Sequence, residues 1–230
     1  MKRFYTQAAA IAVDGGTAVA LDGRPVRTPG KAAIVLPTSA FAEAVAAEWA
    51  AQGEVIKPAT MPLTGFAYAA IDRVAPDVLA FAASLAAFAE SDLLCYRADG
   101  PAPLAARHAA VWDPLLAWAR GRYDVGFFIT SGIVHAAQPL ATLGRITAAY
   151  AAFDAFRLAA LHPVVTICGS AIIGLAVAEG HLDAASAFDA GQLDELWQAE
   201  QWGADPLAVA SLSGRRAALD DAVRLLGLLD

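Results

Sequence analysis

Short apolar runs separated by tight-turn residues open the chain and predict a small antiparallel sheet. Within residues 3–36, runs of alanine, valine and isoleucine are interrupted by DGG at 14–16, DG at 22–23 and PG at 29–30. Glycine after aspartate or proline favours the turns that join neighbouring antiparallel strands. Residues 3–36 are therefore expected to form a meander of short strands.

A helical pattern follows this predicted sheet. Thr38 or Ser39 is suited to cap the first turn, and the pattern continues through FAEAVAAEWAAQ until Gly53 ends it. One face of the helix is apolar and is expected to cover the sheet, with Trp49 in a structural role. The members of that face are Phe41, Val45, Ala46 and Trp49.

The second half of the chain is helical in pattern almost throughout. DGPAP at 99–103 is the least structured interior stretch and marks the predicted domain boundary. The predicted fold class is α+β with two domains: a small antiparallel β-sheet with covering helices over 1–98, and an all-α helical domain over 99–230. Helices are predicted over 103–122, 139–161, 163–179, 183–202 and 206–228, and Gly191 is a possible break in the fourth. A strand-like exception, VGFFITSGIV, lies at 125–134.

The high apolar content raises the question of a membrane. The mean hydropathy is +0.49, but the longest apolar run, at 164–178, is shorter than the roughly 18 residues that a spanning helix needs. Gly169, Ser170 and Gly174 interrupt it, so we expect a buried core helix in a soluble protein without a membrane partner. Ser170 and Gly174, four residues apart, favour close approach of a neighbouring helix.

The termini and cysteines favour a cytoplasmic protein. The first residues, MKRFYTQAAAIAV, lack the apolar segment and cleavage site of a signal peptide. Only two cysteines occur, Cys95 and Cys168, which are too few for a disulfide framework. Both lie in apolar sequence contexts. A reducing cytoplasm fits this pattern.

Negative charge is concentrated in one segment. The net charge is −7, and the segment from Glu179 to Gly214 contains seven acids and neither lysine nor arginine, so it accounts for the whole net charge. Nucleic-acid binding needs a basic field, so a nucleic-acid partner is not expected. Such asymmetry instead indicates association with a protein partner.

Signatures of catalysis are mostly missing from the sequence. No lysine follows a phosphate-loop pattern, no serine lies in G-x-S-x-G, and the four histidines are far apart. Neither a metal nor a cofactor nor a small-molecule substrate is therefore expected. Paired carboxylates remain the one catalytic possibility, either Glu90 with Asp92 or Glu195 with Glu200.

The stretch DELWQAEQWGAD at 194–205 is rich in both aromatic and polar groups. On a helix, Glu200 falls on the apolar face, where a carboxylate needs an arginine, backbone N–H groups or a proton. Trp202 falls on the polar face, as an exposed binding residue would; alternatively, the turn at Gly203 folds it into the core. The predicted partner-binding residues are Asp194, Glu195, Gln198, Glu200 and Trp202.

The same stretch resembles the C-terminal signature of the assembly chaperones of F-type ATP synthase, which bind the α subunit of its soluble catalytic head. Other segments resemble that family in the same order along the chain. They are KRFY at 2–5, LDGRPVRTP at 21–29, AEAVAAEWAAQGEVIKPATMPLT at 42–64, ESDLLCYR at 90–97 and WDPLLAWA at 112–119.

This resemblance implies a β-containing N-terminal domain, a helical C-terminal domain and no nucleotide hydrolysis. It also implies an activity, which is to keep free α subunit from aggregating until the β subunit replaces the chaperone. Glu195 matches a glutamate that is important in the family, whereas the position of Glu200 varies. The chain lacks the N-terminal extension of the mitochondrial members, so a bacterial, cytoplasmic protein is expected. Two rival hypotheses remain, an acid/base enzyme using Glu90, Asp92 or Glu200 and a scaffold for another oligomer.

Overall fold

The computed structural model describes residues 1–132 and 134–230. They form two compact units. The sheet unit comprises Met1–Val78, Asp154–Ala160 and Arg224–Asp230, and the helical unit comprises Leu79–Phe153 and Leu161–Val223. The expected α+β class, a small sheet followed by a helical part, is confirmed. Compact packing is not a test of independent folding, so the domain boundary after residue 98 stays a prediction.

The sheet is antiparallel, as predicted, but it departs from the predicted meander, because the fourth strand pairs with the second and not with the third. β1 (Ala8–Val13) pairs with β2 (Gly16–Leu21) from Ala8 opposite Leu21 to Val13 opposite Gly16. β3 (Arg24–Pro25) and β4 (Val35–Leu36) both pair antiparallel with β2, at its end and at its start. Gly16 has a φ of +153°, and a Cβ there would lie 2.5 Å from the Leu36 carbonyl oxygen, so the turn requires glycine.

The first helix, α1 (Ser39–Ala50), covers this sheet. Thr38 is its N-cap, and the Thr38 side chain accepts a hydrogen bond from the Phe41 N–H. The predicted apolar face is buried, including Trp49, which is only 7% exposed. The Tyr5 hydroxyl donates to the Trp49 carbonyl oxygen at 2.7 Å, which ties the N-terminal segment to the end of the helix. The structural role predicted for Trp49 fits this burial.

A long helical segment follows, with changes of helix type along it. α2 (Pro62–Ala69) passes into a π-helical turn at Ala70–Val74, and Pro76 lies in a 3-10 turn before α3 (Val78–Ala86). By length and composition alone, the run Pro62–Cys95 could cross a membrane, although buried core helices meet the same criteria. This run is longer than the apolar run at 164–178.

Seven helices make up most of the rest of the described residues. The strand β5 (Tyr96–Arg97) precedes them and pairs in parallel with β6 (Thr130–Ser131). The helices are α4 (Ala102–Tyr123), α5 (Leu140–Ala151), α6 (Ala155–Cys168), α7 (Ala171–Ala178), α8 (Ala184–Gly191), α9 (Leu193–Trp202) and α10 (Pro206–Leu228).

Two predicted helix boundaries were wrong. The helix predicted over 139–161 is interrupted, because Asp154 caps a new helix by accepting from the N–H groups of Phe156 and Arg157. The helix predicted over 163–179 is divided at Gly169, which has a φ of +62°, and Ser170 caps α7. The local capping residues outweigh the continuous apolar pattern.

The strand predicted over 125–134 was also largely wrong. Only Thr130 and Ser131 form strand, and residue 133 lies outside the described part of the chain. Side chains satisfy the backbone instead: the Thr142 hydroxyl bonds to both the N–H and the carbonyl of Gly126, and Gln138 does the same for Phe128. A backbone segment bonded in this way needs no neighbouring strand.

Gly174 permits the close helix approach that the sequence predicts. A Cβ at this position of α7 would lie 2.5 Å from Val165 Cγ2 and would also overlap the Tyr150 hydroxyl. That hydroxyl is buried and donates to the Ala171 carbonyl oxygen at 2.7 Å. The contact leaves no room for a side chain.

Replacing Trp49 with arginine is expected to unfold the sheet unit, because a charge would enter its apolar core. We expect a loss of about 4 kcal/mol or more in the free energy of unfolding. Thermal unfolding followed by circular dichroism measures this loss. Val55→Arg, which places the same charge at an exposed position, is the matched control and should change stability little. Equal melting temperatures for Trp49→Arg and the unsubstituted protein would refute the structural role.

Gly174→Ala is expected to destabilise the protein by about 1–3 kcal/mol, because the added methyl group overpacks the contact with Tyr150 and Val165. Gly144→Ala is the control, since a Cβ at this exposed site in α5 meets nothing within 4 Å. Alanine has the higher helix propensity, so the control should gain up to about 1 kcal/mol. Urea unfolding measures both, and a gain at both positions would contradict the close packing.

Candidate partner-binding site

A buried glutamine fixes the start of α9. Gln192 is its N-cap residue, and its side-chain amide donates to the Ile167 carbonyl oxygen at 2.7 Å while its side-chain oxygen accepts from Arg215 Nη1 at 2.5 Å. The first turn then carries two acids, Asp194 and Glu195, near the positive end of the helix dipole. The helix therefore enters the helical unit at a defined position and angle.

Asp194 faces inwards, toward α4. Its Oδ1 lies 2.7 Å from His108 Nε2, and His108 is only 2% exposed and stacks on Trp112 with ring centroids 3.9 Å apart. His108 Nδ1 accepts from the Ala98 N–H at 3.2 Å, so the ring proton belongs on Nε2, which donates to Asp194. This predicted partner-binding residue is engaged within its own chain.

Glu200 is likewise bonded to α4. Arg107 Nη1 and Nη2 donate to its two carboxylate oxygens at 2.6 and 3.0 Å, and this bond holds the pKa of Glu200 below its usual range. The arginine partner expected from the sequence is thus present. The expectation that Glu200 lies on a buried apolar face is wrong, because Glu200 is exposed and its neighbours on that face, Leu196 and Trp197, are only half-buried.

Three of the predicted residues line an open groove. Glu195 and Gln198 are exposed, and Glu195 Oε1 lies 3.6 Å from Arg215 Nη1. Trp202 is 77% exposed, so the alternative in which it folds into the core is wrong. Gly203, with a φ of +83°, ends the helix beyond it. Glu195, Gln198 and Trp202 line a groove of about 320 Å³ whose other wall includes Ala208 and Leu212 of α10.

Sequence analysis missed the first half of α10 as part of this surface. Leu207 is 80% exposed and Val209 46% exposed, and every residue over 203–211 is exposed. The signal was present in PLAVASLSG at 206–214, which has four consecutive apolar residues and no charge. One buried helix face cannot accommodate such a run, so part of it must face solvent. We call Trp202, Leu207 and Val209 the apolar tip.

Neighbouring cations and backbone N–H groups offset much of the negative charge of the acidic segment, 179–214. Arginines or a histidine from neighbouring helices lie beside five of its seven acids, and the other two, Asp183 and Asp205, accept from backbone N–H groups at the starts of α8 and α10. The five pairs are Glu179 with Arg122, Asp189 with Arg216, Asp194 with His108, Glu195 with Arg215, and Glu200 with Arg107.

The carboxylates proposed for acid/base catalysis do not form a shared cleft. Asp92 is completely buried, where its oxygens accept from the Leu94 and Ile172 N–H groups, and Glu90 is exposed. Burial raises the pKa of Asp92 to about 6. Glu195 and Glu200 are both exposed and lie beside different arginines.

The described acidic residues do not cluster with histidines or cysteines in the way that metal ligands do. In residues 1–132 and 134–230, no group of three or more histidine, cysteine, aspartate or glutamate side chains is arranged to hold a metal ion. Both cysteines are buried thiols, and burial raises the pKa of each to about 12.

Comparison with known proteins identifies the family. Residues 2–120 match the family model described as the ATP12 chaperone protein. The chain belongs to the ATP12 chaperone family. The resemblance to the ATP synthase assembly chaperones is thereby confirmed. Membership also favours a non-catalytic activity over the acid/base alternative.

Solved structures of ATP12 relatives extend the match to the whole chain. Atp12 from Paracoccus denitrificans is 44% identical, with 100% of this chain and 98% of that chain covered and a TM-score of 0.95. An aspartate-to-lysine mutant of the same protein gives the same values. The Atu1473 protein from Agrobacterium tumefaciens is 38% identical, with 100% and 86% covered and a TM-score of 0.95. Because these matches cover the entire chain, they include α9 and α10, which the family model does not reach.

Asp92 is expected to make stability depend on pH. Its pKa of about 6 in the folded protein lies above the ordinary value near 3.9, so burial of the charged form destabilises the fold at neutral pH. This penalty decreases as the pH falls from about 6 towards 3.9, because the native state takes up a proton before the unfolded chain does. Asp92 should therefore contribute about 2 kcal/mol more stability at pH 4.5 than at pH 7.5.

Urea unfolding of the unsubstituted protein and of Asp92→Asn at the two pH values measures this contribution. The asparagine variant cannot titrate, so the stability difference between the two proteins should change by that amount across the range. An identical pH dependence for both proteins would show that Asp92 does not titrate there.

Proposed function

We propose that this ATP12 family chaperone binds free α subunit of F-type ATP synthase and prevents its aggregation until the β subunit replaces the chaperone. The observation that carries the proposal is the exposed Trp202 beside Glu195 and Gln198, in a groove whose other wall belongs to α10, where Leu207 and Val209 are also exposed. Large exposed apolar side chains on a folded protein typically mark an interaction site. Exposed apolar side chains suit a partner subunit that has not yet assembled and therefore exposes an apolar surface of its own.

The predicted residues divide into two roles under this proposal. Glu195, Gln198 and Trp202 contact the partner, together with Leu207 and Val209 of the apolar tip. Asp194 and Glu200 act indirectly, by holding α9 against α4 so that its other face stays open. A tryptophan at the centre of an interface, next to residues with hydrogen-bonding groups, is typical of a binding hot spot.

The rival functions have less support. An acid/base enzyme would need carboxylates with raised pKa values that reach a substrate, but Asp92 is enclosed and the pKa of Glu200 is lowered. A scaffold for another oligomer would use the same exposed surface with a different partner. Affinity purification from cell extract separates these functions, because a chaperone of this kind should retain α subunit as the major protein.

We also propose that the protein works in the cytoplasm. Two buried thiols without a disulfide are compatible with a reducing compartment. Fractionation of cells that carry a tagged copy tests this proposal, and recovery of the tagged protein in an oxidising compartment or a membrane fraction would contradict it.

Co-expression with isolated α subunit tests the proposed binding surface. Glu195→Lys places a lysine beside Arg215 and reverses one charge at the groove, so we expect at least tenfold weaker capture of α subunit and less soluble α subunit. The free energy of unfolding should change by less than about 1 kcal/mol, because an exposed ion pair contributes little to stability. Pulldown and centrifugation measure binding and solubility, and urea unfolding measures stability.

Glu43→Lys provides the matched charge control, since Glu43 is an exposed residue on α1 in the sheet unit. It should leave capture of the α subunit unchanged. If Glu195→Lys keeps α subunit soluble as well as Glu43→Lys does, the assignment of the surface is wrong. If the unsubstituted protein itself fails to keep α subunit soluble, the proposed function is wrong.

A further inference from the structure

The sheet unit contains a cavity that the α9 surface leaves unexplained. Its volume is about 690 Å³, within the ~300–1,000 Å³ typical of ligand pockets. Two of the sequence segments that resemble the chaperone family, 2–5 and 21–29, contribute much of its wall. Backbone bonds hold the first of these in place, because the Arg3 N–H donates to the Glu54 carbonyl and the Ile56 N–H to the Met1 carbonyl, each at 2.8 Å.

The floor of the cavity is apolar and aromatic. Tyr5, Leu21, Val26 and Trp49 line it and are buried, whereas Phe4 stands exposed at its edge. The indole N–H of Trp49 is buried without a hydrogen-bond partner among the described residues. Because that N–H is enclosed, a bound molecule would contact the face or edge of the indole ring and not this donor.

Two arginines give the cavity a positive edge. Arg24 and Arg27 line it and are exposed, and neither belongs to an ion pair in the described parts of the chain. Arg27 donates to the Lys31 carbonyl oxygen at 2.8 Å, which positions its guanidinium across the turn. Arginine presents several N–H donors in a planar fork that matches a carboxylate.

The acids near the arginines are already bonded to other groups. Asp22 also lines the cavity, and its carboxylate accepts from the N–H groups of Thr6 and Gln7 and from the Thr6 hydroxyl. Asp72 accepts from the Thr28 hydroxyl at 2.7 Å and from the Gly30 N–H at 2.9 Å. Both carboxylates are thus satisfied locally, and among the described residues neither guanidinium at the edge has a carboxylate partner.

We propose that this cavity binds an extended segment of the client protein in which a carboxylate side chain neighbours a large apolar side chain. The apolar side chain lies on the floor between Tyr5 and Trp49, and the carboxylate pairs with Arg24 and Arg27. The inference rests on the proposed chaperone function but does not depend on the α9 surface. The chaperone then holds its client at two places, one in each unit.

Peptide titration observed by NMR tests the cavity directly. The probe is the blocked hexapeptide Gly-Leu-Asp-Phe-Glu-Gly, and its matched control replaces Asp and Glu with Asn and Gln. The full-length protein contains five tryptophans, whose indole N–H signals can be assigned by through-bond experiments. We expect saturable shifts of the Trp49 signal with the acidic peptide, little change at Trp202, and at least fivefold weaker binding of the amide peptide.

Charge reversal at the positive edge of the cavity provides a second test of the proposal. Arg24→Glu removes no side-chain hydrogen bond among the described residues and should weaken the acidic peptide about tenfold, because attraction becomes repulsion. Lys57→Glu makes the same change at an exposed residue outside the cavity and should alter the dissociation constant less than twofold. Raising the salt concentration should weaken binding to the unsubstituted protein.

Several outcomes would overturn the proposal: equal binding of the amide peptide, shifts confined to Trp202, or an Arg24→Glu variant that binds like Lys57→Glu. Shifts of the Trp49 signal with protein concentration alone would assign the cavity to a second copy of the chain, which also contradicts it. The α-subunit solubility assay reports on the proposed function separately. Loss of solubilisation with an intact peptide titration would therefore disprove the function and leave the peptide cavity standing.

Discussion

Two neighbouring residues of α4 form hydrogen bonds with carboxylates of α9, and the candidate binding surface depends on this attachment. Arg107 forms a two-point bond to Glu200, while His108, stacked on Trp112, bonds to Asp194. Trp112 is itself fixed, since its indole N–H donates to the Ala190 carbonyl oxygen at 2.9 Å. The attachment therefore extends from α9 through α4 to the end of α8. It leaves Glu195, Gln198 and Trp202 on the open side.

The strength of this attachment comes from its buried half. The exposed pair between Arg107 and Glu200 contributes little stability by itself, because water and salt screen it. The pair between His108 and Asp194 is different, since the histidine is buried and both of its ring nitrogens are bonded. Leaving either nitrogen unsatisfied in the interior would cost free energy, so the position of Asp194 is specified as well as stabilised. Asp194 and Glu200 thus position the candidate binding surface by attaching α9 to α4.

The sheet unit uses its acids in a related way. Asp22, Glu48 and Asp72 accept hydrogen bonds from backbone N–H groups and hydroxyls, which fix turns and helix starts. Because these carboxylates are occupied locally, Arg24 and Arg27 remain without a carboxylate partner at the cavity edge. A chain with a net charge of −7 can therefore present a positive recognition site in one unit and an apolar surface in the other.

The sequence by itself determined the elements whose causes are local. The DG and PG turns, the Thr38 cap, the covering face of α1 and the close-packed Gly174 all follow from the chemistry of residues near one another in the chain. The motifs that resemble the chaperone family also lie in continuous segments. The predicted α+β class and the family were correct for this reason.

Only the tertiary structure decided where charges and tryptophans point. Sequence could require a partner for Glu200 but could not name Arg107, which lies 93 positions away. It counted the acids of 179–205 as one block of negative charge, whereas cations from other parts of the chain lie beside five of them. The strand predicted at 125–134 failed because Thr142 and Gln138 satisfy backbone groups that a neighbouring strand would otherwise bond. The exposed tip of α10 was missed because helical periodicity states which residues share a face, whereas contacts with other elements decide whether that face is covered.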